Sequence, residues 1–166
     1  MSDGSYVTSS QKSSRMSGLA FAGLMEAVLE KNVPIRFTAS GFSMTPFIRD
    51  GDLVTVSPVH VHLRPGDVVS FVNPYCNKLM VHRILNVSRQ GYLIKGDNNS
   101  VPDGLIPASR IIGRVVRVEH RGRRVRFGLE TGGILIAWLS QRCWLTPLVL
   151  GIRRIIKTFK GKSYLP

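Results

Sequence analysis

At 166 residues and 18.4 kDa the chain has room for one domain with tails but not for a multidomain machine. Its 43% apolar and 20% charged residues exclude a wholly disordered chain, and its two cysteines, Cys76 and Cys143, exclude both a disulfide scaffold and a zinc ribbon. Charge is uneven: 10 basic and 8 acidic residues run through Asp103, then 13 basic and 2 acidic, so nearly all of the +13 excess belongs to the C-terminal third and suits a polyanionic partner.

Residues 1–16 are Ser-rich and polar, without the apolar run of a cleavable signal peptide, and read as a disordered tail. From Ser17 to Glu30 the residues Leu19, Phe21, Ala22, Leu24, Met25, Val28 and Leu29 recur near helical spacing, with Glu26 and Glu30 on another face. This amphipathic helix is too short to cross a bilayer, which takes about 20 residues. Beyond Pro34 the pattern shifts to short β-rich runs between Gly-Asp, Pro and Asn punctuation. Strands are expected at Ile35 to Ala39, Leu53 to Ser57, Asp67 to Asn73, Met80 to Ser88, Tyr92 to Lys95, Gly113 to Glu119 and Arg124 to Phe127, the last two joined in a hairpin near Arg121-Gly122. Such spacing indicates a mainly β domain, antiparallel and partly closed, over residues 17–128.

Residues 129–166 form a third region. Ile134 to Leu150 resembles a membrane span in composition, but Gln141 and Arg142 interrupt it and Pro147 would kink it. On a helical wheel Arg142, Thr146, Arg153, Lys157 and Lys160 gather on one side, opposite Trp138, Leu139, Leu145, Leu148, Val149 and Ile156. A basic, tryptophan-bearing amphipathic helix over Ile134 to Lys160 is expected to lie on an anionic membrane surface. The competing readings are a helix packed on its own domain with a solvated basic face, and a kinked span, which would place an Arg in the bilayer at about 3 kcal/mol.

The chemistry is in the middle of the chain. Gly41-Phe42-Ser43-Met44-Thr45-Pro46 is followed by Gly51-Asp52-Leu53-Val54-Thr55-Val56 and Gly66-Asp67-Val68-Val69-Ser70-Phe71, then by Val81-His82-Arg83-Ile84 and Lys95-Gly96-Asp97-Asn98-Asn99 with Asp103. A serine hydroxyl is a weak nucleophile that needs a base; a neutral imidazole can serve, and a carboxylate can hold its tautomer. Each residue alone is commonplace: serine after glycine is usually a turn, and a lone histidine is usually structural.

In order and interval, these boxes together resemble the type I signal peptidase family and the wider clan that includes the self-cleaving LexA-type repressors, over about Phe37 to Val118. The resemblance implies a signal-peptidase type of fold and a serine endopeptidase in which Ser43 attacks the scissile carbonyl. Because this sequence has histidine where the usual bacterial form has lysine, it is similar to the endoplasmic-reticulum and archaeal form, with His82 as base. The Gly-Asp-Asn-Asn box and the carboxylate six residues beyond its Asp then imply Asp103 as the group assisting the base, with Asp97 as a second carboxylate. The resemblance further implies an oxyanion held by the Ser43 amide, no cofactor and no metal. It implies a peptide substrate added as a strand along Phe37 to Phe42, and small residues at the first and third positions before the cut, as in secretory or other precursors.

Two departures bear on function. Where many family members have a serine that aids the oxyanion, two residues before the nucleophile, this chain has Gly41, with Ser40 one position further away. The family's N-terminal membrane anchor has no counterpart here, so membrane contact is expected from Ile134 to Lys160. Lys78 is an internal rival for the base, since it shares a strand face with Met80 and His82; His60 and His62 could mimic a metal pair but lack a third ligand, and read as surface residues. Three functional classes stand: a membrane-associated peptidase of signal-peptidase type, a soluble LexA-like processing protease or autoprotease, and a catalytically inactive module that binds membrane or nucleic acid. The tail is poor in aromatics for base stacking, which disfavours nucleic acid.

Overall fold

The protein's structure, a computed structural model, describes residues 7–8, 18–126, 128–129 and 132–141. Helix α1 spans Gly18–Leu29 and buries Ala22, Met25 and Leu29, the i, i+3, i+7 stripe that its sequence presents. The strands are β1 (Val7–Thr8), β2 (Ile35–Thr38), β3 (Leu53–Ser57), β4 (Val68–Asn73), β5 (Lys78–Ser88), β6 (Gly91–Lys95), β7 (Gly104–Ile106), β8 (Ile111–His120) and β9 (Arg123–Arg124). Helix α2 spans Gly133–Gln141.

All the strands join one nine-stranded sheet in the order β1-β2-β3-β8-β4-β5-β6-β7, with β9 paired to β8. Every pairing is antiparallel except β1 with β2, which is parallel. The path is open rather than partly closed, ending on β1 and β7. Most strands fall where the sequence places them, but the expected strand Arg124 to Phe127 is instead the two-residue β9, with Val125 and Arg126 outside it and Phe127 outside the described residues, and there are two additions. Strand β7 occupies three residues that read as loop, and β1 lies inside the stretch expected to be a disordered tail; the rest of that stretch is outside the described residues. The hairpin at Arg121-Gly122 is a two-residue turn in which both residues have positive φ, 49° and 75°, the geometry that suits the twist of paired strands.

The central strand β4 is buried along its whole length, and its alternating side chains feed two cores. Val68 and Val72 join the cluster under α1, with Met25, Leu29, Ile35, Val54, Val56 and Val118; Val69 and Phe71 join Leu63, Ile84, Ile94 and Ile106 on the opposite face. This sandwiching explains why β4 reads as a near-continuous apolar run rather than an alternating one. Among the described residues no helix is long and apolar enough to cross a membrane. Of the expected Ile134 to Lys160 helix, α2 covers the first part, with Ile136 and Ala137 buried and Ile136 packed by Phe47, whereas Ile134, Leu135 and Trp138 are exposed. The basic residues from Arg142 onward, and Cys143, lie outside the described residues.

Candidate active site

Three segments that are remote in sequence meet beside the end of β2. The first is the turn that carries Ser43. Gly41 has φ of +97° and donates its N–H to Asp50 Oδ1 at 2.8 Å, so the turn is built on a conformation that an L side chain rarely adopts. A serine at position 41 would be strained here, which gives the departure noted above a backbone cause. The turn closes with Thr45 N–H donating to Phe42 O at 3.1 Å and Phe47 N–H to Met44 O at 3.0 Å; the Thr45–Pro46 peptide is cis.

The second segment is β5, which carries His82 on the face that packs on Phe71, with ring centroids 6.0 Å apart. The third is the loop between β6 and β7. Its Asn98 N–H donates to Ser43 O at 2.7 Å, and its Asn98 Nδ2 donates to Phe42 O at 3.2 Å. Gly96 permits this approach: a Cβ there would lie 2.8 Å from Ser43 O. Any side chain at 96 would push the two segments apart.

The result is a continuous chain of polar atoms. Ser43 Oγ lies 2.8 Å from His82 Nε2, and His82 Nδ1 lies 2.7 Å from Asp103 Oδ2. The carboxylate can only accept, so the ring proton sits on Nδ1 and the Nε2 lone pair faces the serine hydroxyl. His82 is 4% exposed, which shields this arrangement from competing water. Asp103 is itself anchored, its N–H donating to Ile94 O at 2.8 Å. Among the described residues the Ser43 N–H donates to no other group, leaving it available to an oxyanion.

The other sequence candidates sit elsewhere. Asp97 does not approach His82. It is buried and accepts from Arg83, Nε to Oδ1 at 2.8 Å and Nη2 to Oδ2 at 2.7 Å, so its expected place as a second carboxylate toward the base is corrected to a structural ion pair. Arg83 was given no role by its sequence position, yet it is wholly buried; its Nη1 also donates to Gly66 O at 2.8 Å and Gly128 O at 2.6 Å, and it stacks over Phe47 at 5.5 Å. The only signal for it in the sequence is that residues adjacent on a strand face opposite ways, so a charge beside the buried His82 needs its own partner. Lys78 is exposed at the start of β5, and His60 and His62 are exposed in the β3–β4 connection. No group of potential metal ligands occurs among the described residues.

A cleft of about 770 Å³ runs up to the triad, between Phe37, Thr38, Ala39, Ser40 and Gly41 on one side and Leu79, Met80, Val81 and His82 on the other. Among the described residues each wall has a stretch with no strand partner on one side. The register of β5 with β6 begins at Arg83, so Leu79 to His82 have a strand partner only on the β4 side among the described residues. On the outer edge of β2, the described residues of the partner strand β1 reach Ile35 and Arg36 and no further. An extended peptide can therefore hydrogen-bond between them by strand addition.

No curated protein sequence matches the chain. The profile of the Peptidase S24-like family matches residues 22–116, a span that contains most of α1, β2 to β7, nearly all of the cleft lining and all three members of the hydrogen-bonded chain. That span is more than half of the sequence, and the chain belongs to the Peptidase S24-like family, whose members are serine-type peptidases.

Proposed function

We propose that the protein is a serine endopeptidase that works through an acyl-enzyme on Ser43, with His82 as general base and Asp103 as the group that orients it. The observation that carries this reading is the unbroken Ser43–His82–Asp103 contact, at 2.8 and 2.7 Å, at the end of a cleft lined by Phe37 to Gly41 and Leu79 to His82. His82 Nε2 takes the hydroxyl proton as Oγ attacks the carbonyl. The Ser43 N–H receives the developing oxyanion, and the imidazolium then protonates the leaving amine. Water attacks the acyl-enzyme with His82 again as base, releasing the acid and restoring the hydroxyl. Asp103 keeps the proton on Nδ1 and stabilises the imidazolium between these transfers.

The substrates are precursor or signal peptides with small residues at the first and third positions before the cut. The site meets them at an anionic membrane surface through the C-terminal region. The motif order around Ser43 and the basic, apolar pattern after Gly133 support this version. A second reading, self-processing, is favoured by one observation: Val7 and Thr8 of β1 are paired parallel to Ile35 and Arg36 at the start of β2, the strand that leads to Ser43.

Incubating purified protein with a precursor peptide carrying Ala at both positions separates the two readings, with intact mass followed in parallel. Peptide cleavage by wild type and none by Ser43→Ala supports the first. Loss of an N-terminal fragment at a rate independent of protein concentration, without peptide cleavage, supports the second. If neither event occurs, the enzyme reading is refuted.

A further inference from the structure

The cleft accounts for only the half of a bound peptide that precedes the cut. The half that leaves must extend beyond Ser43 away from the cleft, and three large apolar side chains on or against the segments that build the triad are exposed outside it. Phe42, next to the nucleophile, is 69% exposed, Val101 is 71% exposed and Tyr75 is 73% exposed. None of the three lines the cleft.

They are nonetheless tied to the triad. Asn98 donates to both Phe42 O and Ser43 O, at 3.2 and 2.7 Å. Val101 follows Asn98 by three residues and precedes Asp103 by two, so chain length alone holds it within about 11 Å of the first and about 7 Å of the second. The Tyr75 ring lies against Gly104, the residue after Asp103, where an added Cβ would come within 2.9 Å of a ring carbon. The residues between them, Asn98, Ser100 and Pro102, are exposed and mostly polar. Three large apolar side chains left in water on or against the segments that hold one reactive centre are candidates for a contact surface.

We propose that Phe42, Val101 and Tyr75 form the surface that receives the leaving half of the substrate, and that it selects apolar residues in the first two positions after the cut. The proposal rests on the serine-peptidase reading. It adds a kinetic signature, because contacts to the leaving half exist only until the amine departs. They can lower the barrier to acylation but not to deacylation.

The test uses two peptides identical before the cut, with Ala at the first and third positions; one continues Leu-Phe and the other Ser-Asp. An ester of the same acyl half with a small alcohol reports turnover at Ser43 without any leaving peptide. Wild type is expected to prefer the Leu-Phe peptide in kcat/KM by about tenfold, the low end for an apolar contact in an enzyme site. Phe42→Ser and Val101→Ser should each shrink that ratio severalfold; both positions are exposed, and each variant checks the other. Hydrolysis of the ester by wild type with a peptide ratio near one overturns the proposal, as does a ratio that survives both substitutions. A wild-type protein that leaves the ester and both peptides intact overturns the serine-peptidase reading and this proposal together.

Discussion

At the scale of single residues, His82 is asked to do two things: accept the Ser43 proton and stay oriented while it does so. Ser43→Ala and His82→Ala should each reduce peptide turnover by on the order of 10⁵ or more, and the double variant should lose little further, because the pair acts as one unit. Asp103→Asn should cost less, about 10³ to 10⁴, since the base remains but its tautomer is no longer held. Lys78→Ala and His60→Ala should leave kcat/KM near wild type, as both residues are exposed and neither lines the cleft. Steady-state kinetics on one peptide checks the whole series; an inactive Lys78→Ala beside an active His82→Ala would reverse the assignment of the base. The rate of acylation should also fall on acidification, because a protonated imidazole has no lone pair for the serine proton. A rate that rises as acid is added would contradict imidazole as base.

At the scale of elements, the Arg83–Asp97 pair joins four pieces: β5, the loop that carries Asn98, the Gly66 turn and the Gly128 turn. Arg83→Met leaves the Asp97 carboxylate buried without its partner, a loss of about 3 to 5 kcal/mol, seen as a fall in Tm of roughly 10 °C. Pairing it with Asp97→Leu should cost less than the two single changes added, because no uncompensated charge is then buried; additive losses in thermal melts would refute the ion-pair reading. The same pair marks how far the sequence could be read. Strands such as β3 and β4 announce themselves by period and punctuation, and Ser43 and His82 by the boxes around them. Asp97 and Asp103 are both carboxylates of one loop; the spacing of the boxes singles out Asp103 only through the family resemblance, and nothing in it shows that Asp97 turns to the interior to meet Arg83. Strand β7 was illegible because three residues show no period, and β1 because two residues become a strand only through their pairing with β2. Arg83 was hidden by its neighbour: a buried guanidinium has no pattern of its own until the carbonyls of Gly66 and Gly128 are brought to it.

For the whole molecule, the excess charge and the exposed Ile134, Leu135 and Trp138 fall in the same region of the chain. Sedimentation with vesicles containing anionic lipid should carry the protein down at low salt. Release should follow as salt rises, at about 1 kcal/mol of attraction per basic residue near the surface. Removing residues 142–166, which spares the packing of Ile136 on Phe47, should abolish most of this binding; full-length protein that stays in the supernatant at low salt rules out the interfacial reading. Fastening the serine turn to the Asn98 loop also has a consequence for observation. The Asn98 amide hydrogen is bonded to the carbonyl of Ser43 itself, so it can exchange with deuterium only when the two segments part. Its exchange rate is thus a clock for how often the resting site comes undone, readable with no substrate present, and an inhibitor that acylates Ser43 without disturbing the turn should leave that clock running no faster.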